Sequence, residues 1–188
     1  MSLNRMDPKI SVIIPLYNCE KYIAKCIKSI LNNTFTYFEV IIINDGSTDQ
    51  SVKIIVDTIS NDERFTIINQ ENHGIGYSRN KGIRHAKGKY ICFIDSDDYI
   101  DQEFLGTLHS DIVKNKSDLH ICGSYNVYEN GTIIKRVNPK KHLTNSGYIE
   151  DMLSSVTPGL AVSWAKLYKR EFLDDINFNT IKAFYFFY

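Results

Sequence analysis

The chain lacks several features that would have pointed to other classes of protein. Its four cysteines form no CxxC pair and no cysteine–histidine spacing typical of zinc, so we expect reduced thiols. No apolar run approaches the roughly 20 residues of a membrane helix, and nothing at the N-terminus resembles a signal peptide. We therefore expect a cytoplasmic protein without a transmembrane segment. Lys plus Arg and Asp plus Glu number 22 each, so the net charge is zero and we expect no nucleic-acid partner.

The composition that is present is that of a globular domain. Hydrophobic residues make up 43% of the 188 positions and charged residues 23%, which is not the balance of a disordered chain. The length allows one domain with a substantial core, and no repeat or linker divides it. We therefore predict a single domain over residues 1–188.

The first 120 residues alternate between buried strands and amphipathic helices. Short β-branched apolar runs predict strands, and apolar residues three or four positions apart predict helices. The predicted strands are Ile10–Ile14 (stopped by Pro15), Val40–Ile43, Phe65–Ile68 and Tyr90–Ile94. The predicted helices lie at 23–31, at 52–59 after a cap from Ser47 or Thr48, and at 76–85. This order predicts an α/β fold with a Rossmann-like, mainly parallel sheet and helices on both faces.

The remaining residues predict smaller additions to this sheet. We expect a helix at 102–114 and a strand at 119–122. Asn130-Gly131 lies between two strand-like runs, 125–128 and 133–137, and predicts a small antiparallel hairpin. A helix-like stretch follows at 147–153, and 162–168 leads into a short helix at 170–174.

Polar side chains follow four of the predicted strands. They are Tyr17-Asn18, Asp45, Asn72 and the acidic turn, by which we mean Asp95-Ser96-Asp97-Asp98. Ligands of open α/β sheets bind outside the carboxyl ends of the strands. The sequence therefore predicts one site to which four separate segments contribute.

The acidic turn predicts a divalent-metal site. It places three carboxylates within four residues, and their repulsion is costly without a cation. Alternation along an extended segment puts Asp95 and Asp97 on one side, where they could face a shared Mg²⁺ or Mn²⁺ ion completed by ligand phosphates. The alternative is a solvated turn whose acids, Asp98 or Asp101 above all, cap the helix near Gln102.

Three other residues have two interpretations each. Asp45 could accept a hydrogen bond from an imide N–H such as that of uracil, or could form an Asx-turn into the next helix. Tyr17 could stack on a base or pack on the surface. Arg79 could pair with Asp45, contact a phosphate, or form a helix-surface ion pair.

Five motifs occur in an order and spacing that resembles one enzyme family. They are Ser11–Asn18, Asn44–Asp49, Ser78–Ile83, Gly88–Ile91 and the acidic turn. Over roughly Lys9 to Phe172 the chain is similar to family 2 glycosyltransferases, the inverting enzymes of GT-A fold that build bacterial surface polysaccharides. A sugar-nucleotidyltransferase would instead carry a glycine-rich signature near its N-terminus, and an Asp-x-Asp phosphatase would carry its acidic pair after the first strand.

The resemblance implies a role for each matched residue. Pro15, Tyr17 and Asn18 would line the nucleotide pocket with Tyr17 against the base, and Asp45 would hold the base N–H with Arg79 close by. Asp95 would face the ribose, and Asp97 would bind the Mn²⁺ or Mg²⁺ that bridges the diphosphate. The same pocket would include Asn72 and Ser96, with Asp98 in a supporting role and Trp164–Tyr168 on the acceptor side.

The resemblance also implies the partners and raises a question about the catalytic base. The donor would be a nucleotide-diphospho-sugar, a UDP-sugar above all, and the acceptor a saccharide or lipid-linked saccharide. Association with the inner face of the membrane and homodimer formation are both left open.

The family places its base in an acidic pair shortly after the segment that matches 172–178, where this chain has Asn179–Ala183 and five aromatic residues. Asp174 and Asp175 lie before that position. We therefore expect a truncated chain that binds donor and transfers sugar poorly. The alternative is a nucleotide-binding remnant without a general base.

Overall fold

A six-stranded sheet forms the centre of the computed structural model, which describes residues 7–128, 130–136, 163–173 and 178. The strands of this sheet are β1 (Ile10–Leu16), β2 (Phe38–Asp45), β3 (Phe65–Gln70), β4 (Tyr90–Phe93), β5 (Leu119–Ile121) and β8 (Lys166–Lys169). Their order is β3-β2-β1-β4-β8-β5, and β1 to β4 run parallel, whereas β8 is antiparallel to both of its neighbours. The prediction of a mainly parallel sheet is confirmed.

Four helices cover both faces of this sheet, as predicted. They are α1 (Ile23–Leu31), α2 (Ser51–Ile59), α3 (Ile75–His85) and α4 (Phe104–Asn115). The larger apolar cluster joins one face of the sheet to α1, α2 and α4, with Ile27, Ile55 and Leu105 fully buried in it. The smaller cluster lies on the other face, where Ile83 of α3 packs near Ile13.

The first strand continues past the point where the sequence predicted its end. Pro15 lies inside β1, opposite Ile43 of β2, and the strand ends at Leu16 rather than Ile14. The carbonyl of Ile13 accepts a bond from the β4 side, so by alternation Pro15 faces that side too. Pairing with β4 has already ended at Ile13, and no ladder bond is lost to the missing proline N–H.

The predicted cap of α2 is wrong. The helix begins at Ser51, and the side chain of the preceding residue, Gln50, makes no capping hydrogen bond. Ser47 and Thr48 bond instead to Asn18 in the loop after β1, and Oδ1 of Asp49 accepts from the N–H of Ser51 at 3.0 Å. Contacts between the two loops therefore take the groups that the sequence had assigned to the cap.

The later elements agree with the sequence where they are described. The hairpin consists of β6 (Ser124–Val127) and β7 (Ile133–Arg136), and a 3₁₀ turn covers Arg170–Leu173 after β8. The helix-like stretch at 147–153, Asp174, Asp175 and the terminal aromatic residues lie outside the described residues. Within the described ranges, no helix has the length and apolar character needed to cross a membrane.

Glycines allow α3 and the turn after it to lie against β1. A Cβ on Gly82 would overlap the Ile13 side chain, and a Cβ on Gly88 would lie 2.6 Å from the backbone nitrogen of Ser11. The Gly88 N–H donates to Oγ of Ser11 at 2.8 Å, and the turn is fixed in that position. This close approach decides where the α3 side chains reach the sheet.

Gly88→Ala should therefore destabilise the protein, by about 2 kcal/mol or more, because backbone atoms cannot move away as a side chain can. Gly106→Ala is the matched control, since its added Cβ would meet only Cβ of Phe35, at 3.6 Å, and alanine favours the interior of α4. Urea unfolding of both variants measures the difference. Equal stability of the two variants would show that the approach of Gly88 to β1 is not tight.

Lys166 is a lysine inside the sheet. It belongs to β8 and is 1% exposed. Burial lowers the pKa of its ammonium to about 8, and the charge of a Cys122 thiolate would oppose that shift. The ordinary pKa of a lysine is about 10.4. Between about pH 8 and that value, the unfolded chain carries a proton on this lysine that the folded protein has lost. The stability of the folded protein therefore rises with pH in this range.

Lys166→Met should therefore remove the cost of holding a charged ammonium inside the fold at pH 7. The gain should shrink as the pH rises from 8 towards 10, where the lysine of the wild-type fold is already neutral. Urea unfolding at pH 7 and pH 9.5 tests this, with Lys169→Met as the control because Lys169 is bound to Glu171 at the surface. A gain that is the same at both pH values would contradict the explanation.

Candidate functional site

The carboxyl ends of β1, β2, β3 and β4 meet at one edge of the sheet, as the parallel register requires. Leu16 lies opposite Asn44, Asp45 lies opposite Gln70, and Ile13 lies opposite Phe93. The predicted site residues follow these ends in the loops and in the acidic turn. The register therefore brings together segments that are far apart in the sequence.

The loops after β1 and β2 are tied to each other by side chains. Oδ1 of Asn18 accepts from the N–H of Thr48 at 2.8 Å, and the Asn18 N–H donates to Oγ of Ser47 at 3.1 Å. The Cys19 N–H donates to Oγ of the buried Ser51 at 2.8 Å. Asn18 has a positive φ of 47°, which asparagine tolerates better than most residues. Asn18 therefore holds the loops after β1 and β2 together next to Tyr17.

Asp45 holds the start of α3 rather than the start of α2. Its Oδ1 accepts from Nε2 of Gln70 at 2.7 Å and from the N–H of His73 at 2.9 Å. Its Oδ2 accepts from the N–H of Gly74 at 2.8 Å. The residue is 4% exposed, and Oδ2 keeps capacity for a second donor. Arg79 does not pair with Asp45, which corrects one of the interpretations drawn from the sequence.

A local bond of the kind expected at Asp45 is made by its neighbour. Oδ1 of Asn44 accepts from the N–H of Ser47 at 3.1 Å, and Nδ2 of Asn44 donates to Oδ1 of Asn69 at 2.9 Å. The bond from Asn44 reaches three residues along the chain, whereas an Asx-turn spans two. The Asp45 carboxylate bonds instead to a segment 25 to 29 residues away.

Arg79 pairs with Asp95 at the end of β4. An Nη nitrogen of Arg79 lies 2.9 Å from Oδ1 of Asp95, and both side chains are mostly buried. Burial raises the pKa of the Asp95 carboxyl, and the Arg79 charge opposes that shift. Nε of Arg79 is buried and has no hydrogen-bond partner within the described part of the chain. The pair thus presents a carboxylate and a spare donor at the same place.

The acidic turn is closed by a bond from the Asp98 N–H to the Asp95 carbonyl, at 3.0 Å. Burial of the Asp98 carboxyl raises its pKa to about 6, and the charges of Asp97 and Asp95 add to the shift. Burial raises the pKa of the Cys19 thiol in the loop after β1, and the Ser96 side chain opposes that shift. Negative charge is therefore concentrated here, as the sequence predicted.

The carboxylates of this turn suit a divalent cation that shares its ligands with a nucleotide. Among the described residues, no three His, Cys, Asp or Glu side chains are grouped to hold a metal ion by themselves. Asp97 is exposed, whereas one oxygen of Asp95 is bound to Arg79. Mg²⁺ commonly takes one or two carboxylates together with substrate phosphates. The donor set fits that arrangement, with Asp97 as an accessible member.

The other predicted residues surround this group. Tyr17 is 53% exposed, and its ring is available to a ligand. Pro15, two positions earlier in the chain, is buried in β1. Asn72 is exposed, and its backbone nitrogen would lie 3.1 Å from a Cβ on Gly46, whose φ is +77°. Trp164 forms an isolated bridge to Phe93, so the predicted acceptor-side segment runs beside β4.

Several organising residues were not found from the sequence. They are Gln70, which donates to Asp45, and Asn80, whose amide bonds to the backbone of Phe178. A side-chain amide carries no periodic signal, and its partners are distant in the sequence. The motif Ser78–Ile83 contains Asn80, and only that motif could have directed attention to it.

A separate cleft of about 470 Å³ lies at the opposite, amino-terminal end of the strands. Pro8, Arg64 and Lys87 are among its lining residues. Arg64 is already paired with Asp62 at 2.7 Å and lies over the ring of Phe38. None of the predicted site residues lines this cleft.

Comparison with known proteins agrees with the geometry. The family model described as glycosyl transferase family 2 matches residues 11–176. Glycosyltransferase GlyA of Streptococcus pneumoniae serotype 4 is 33% identical over 187 residues, which is 93% of this chain and 26% of GlyA. The hyaluronan synthase of Pasteurella multocida is 38% identical over 146 residues, which is 78% of this chain and 14% of that protein.

A solved structure shows the same fold. S. aureus TarS 1–349 in complex with UDP-GlcNAc superposes with a TM-score of 0.71 at 30% identity, over 89% of this chain and 47% of the TarS 1–349 chain. The sheet order and the helices on both faces are therefore those of a GT-A fold. The chain spans about half of the TarS 1–349 chain and a smaller share of GlyA and of the hyaluronan synthase.

Asp45→Asn should destabilise the fold by about 1–3 kcal/mol, because the NH₂ of the new amide would face a backbone N–H whose hydrogen bond the carboxylate now accepts. Asp57→Asn is the control, since Asp57 is exposed on α2 and should change stability by less than about 0.5 kcal/mol. Urea unfolding at pH 7 gives both values. A small effect for both variants would mean that Asp45 does not hold the start of α3.

Proposed function

The chain belongs to glycosyl transferase family 2, and we propose that it transfers a sugar from a UDP-sugar to an acceptor hydroxyl with inversion at the anomeric carbon. The observation that carries this proposal is the convergence of Asp45, the Arg79–Asp95 pair and the acidic turn at one edge of the sheet. The UDP-GlcNAc complex of TarS supports a UDP-linked donor. The likeness to a hyaluronan synthase supports a role in cell-surface polysaccharide synthesis.

Asp45 and Tyr17 recognise the base in this proposal. Three protein donors already hold the Asp45 carboxylate, so its orientation is fixed before any ligand arrives. The remaining acceptor capacity of Oδ2 suits the imide N–H of uracil. The exposed ring of Tyr17 offers a flat surface on which a base can stack. Stacking adds affinity and depends little on which base is bound.

Asp95 accepts hydrogen bonds from the ribose in this proposal. The Arg79 charge favours the ionised form of the carboxyl and so works against the effect of burial on its pKa. One Asp95 oxygen is used by Arg79, and the other is left for the ligand.

The acidic turn supports departure of the diphosphate. Asp97 would hold the divalent ion, Mn²⁺ or Mg²⁺, with the free oxygen of Asp95 as a further ligand and Asp98 in support. When bound, such an ion stabilises the negative charge that develops on a departing diphosphate. Asp97 is exposed and can meet a ligand without rearrangement of the strands beneath it.

Inversion requires a base on the face of the sugar opposite the diphosphate, to take the proton of the acceptor hydroxyl. The acidic residues Asp174 and Asp175 lie outside the described residues, and we assign the base to neither. A nucleotide-binding protein without turnover is the second candidate, because Asn179–Ala183 stand where the family that the chain resembles has an acidic pair.

Asp97→Asn should lower the affinity for UDP at least tenfold when Mn²⁺ is present and change it little when the metal is replaced by a chelator. Calorimetric titration with UDP, with and without Mn²⁺, measures this effect. Asp101→Asn is the matched control, because Asp101 is an exposed acid close to the turn whose Oδ1 accepts from the N–H of Glu103, a bond that asparagine can keep.

Turnover of UDP-GlcNAc in the same preparation separates the two candidates. Binding with release of UDP supports a transferase, and binding without release supports the nucleotide-binding protein. If both variants bind UDP with Mn²⁺ as the wild type does, the metal role of Asp97 is wrong.

A further inference from the structure

Asn80 joins α3 to a residue 98 positions later in the sequence. Nδ2 of Asn80 donates to the Phe178 carbonyl at 3.1 Å, and the Phe178 N–H donates to Oδ1 of Asn80 at 3.0 Å. This is the reciprocal pair of bonds that two residues of adjacent antiparallel strands exchange. Asn80 is only 6% exposed, so both bonds are shielded from water and leaving either group unpaired would be costly.

The Phe178 side chain lies against the donor end of the sheet. Its ring packs edge-on against Phe93, with centroids 5.3 Å apart. The guanidinium carbon of Arg79 lies 5.8 Å from the centroid of the same ring. Phe93 is the last residue of β4 and precedes Asp95 by two positions. Phe178 is therefore held beside the strand end that carries the acidic turn.

Consecutive residues of α3 thus contact two different parts of the chain. Arg79 bonds to Asp95, and Asn80 bonds to Phe178. Consecutive residues on a helix point about 100° apart, so one rigid element sets the distance between both partners. Any shift of the Phe178 backbone relative to Asp95 has to break or bend one of these contacts.

We propose that Asn80 is a positioning residue for sugar transfer, which holds the chain at Phe178 in register with the donor pocket. The inference rests on the proposed transferase function. Inverting transfer needs the acceptor oxygen in line with the bond to the diphosphate, and a misplacement of about 1 Å can cost on the order of 100-fold in rate. Asn80 acts through the backbone of Phe178, and its role is to fix one wall of the pocket.

The test uses the full chain with UDP-GlcNAc, Mn²⁺ and a panel of β-linked disaccharides, from which an acceptor glycosylated by the wild type is chosen. In Asn80→Ala, the rate of transfer should fall at least tenfold, while the calorimetric Kd for UDP stays within threefold of the wild type. Hydrogen exchange at the Phe178 amide should accelerate at least tenfold. Asn80→Asp keeps the bond from the Phe178 N–H and loses the other, so its rate should lie between the two.

Asn33→Ala is the matched control. Asn33 is 5% exposed, and its amide also joins two segments, by donating to the Asp101 carbonyl at 3.0 Å and accepting from the Phe35 N–H at 3.3 Å. A similar loss of thermal stability with normal transfer is expected for it. Equal losses of transfer in the two variants would reduce Asn80 to a general role in stability and overturn the proposal.

Two further results separate this proposal from the proposed function. Normal transfer by Asn80→Ala, with faster exchange at Phe178, would overturn the positioning role and leave the transferase function intact. A wild-type chain that binds UDP and transfers no sugar to any member of the panel would contradict the transferase function, and the positioning role would be lost with it.

Discussion

The ion pair between Arg79 and Asp95 is the contact on which the arrangement of this site depends. It connects α3, on one face of the sheet, to the end of β4, and its two charges lie where neither is well solvated. A partly buried charge is costly unless it is paired, so the position of one side chain restricts the position of the other. Two further contacts of α3 then follow: its start bonds to Asp45, and Asn80, at its middle, bonds to Phe178.

The position of α3 depends in turn on close packing against β1. Gly82 leaves room for the Ile13 side chain, and Gly88 leaves room for the backbone at Ser11. Packing of this kind restricts the distance of α3 from the sheet and its rotation about its own axis, because protein interiors tolerate little overlap. The chemistry of the site is therefore linked to residues that carry no functional group.

The loops of the site are ordered by side chains that bond to backbone groups. Asn18, Asn44 and Asp45 each accept bonds from N–H groups at the edge of the sheet, where no further strand is available to pair with them. These polar residues are thus occupied by the protein itself. Tyr17 and Asp97 are exposed and can contact a ligand directly.

Much of the fold was predictable because strands of a parallel sheet are buried on both faces. Runs such as Val40–Ile43 contain only β-branched apolar residues, and short runs of that kind are typical of buried strands. The end of β1 was predicted too early because a proline normally ends a strand. Pro15 is tolerated inside β1 because the pairing with β4 has already stopped at Ile13. The cap of α2 was missed because Ser47 bonds to another loop.

The sequence by itself determined the alternation of strands and helices, the edge at which the polar residues gather, and the family to which the motifs belong. The first two follow from hydrophobic periodicity and from local order along the chain, and the family follows from the resemblance of the motifs. Only the tertiary structure decided the partners: Arg79 with Asp95, Asp45 with Gln70 and the start of α3, and Asn80 with Phe178. Such bonds join residues 16 to 98 positions apart, and their choice depends on packing depth and strand register, which no local pattern encodes.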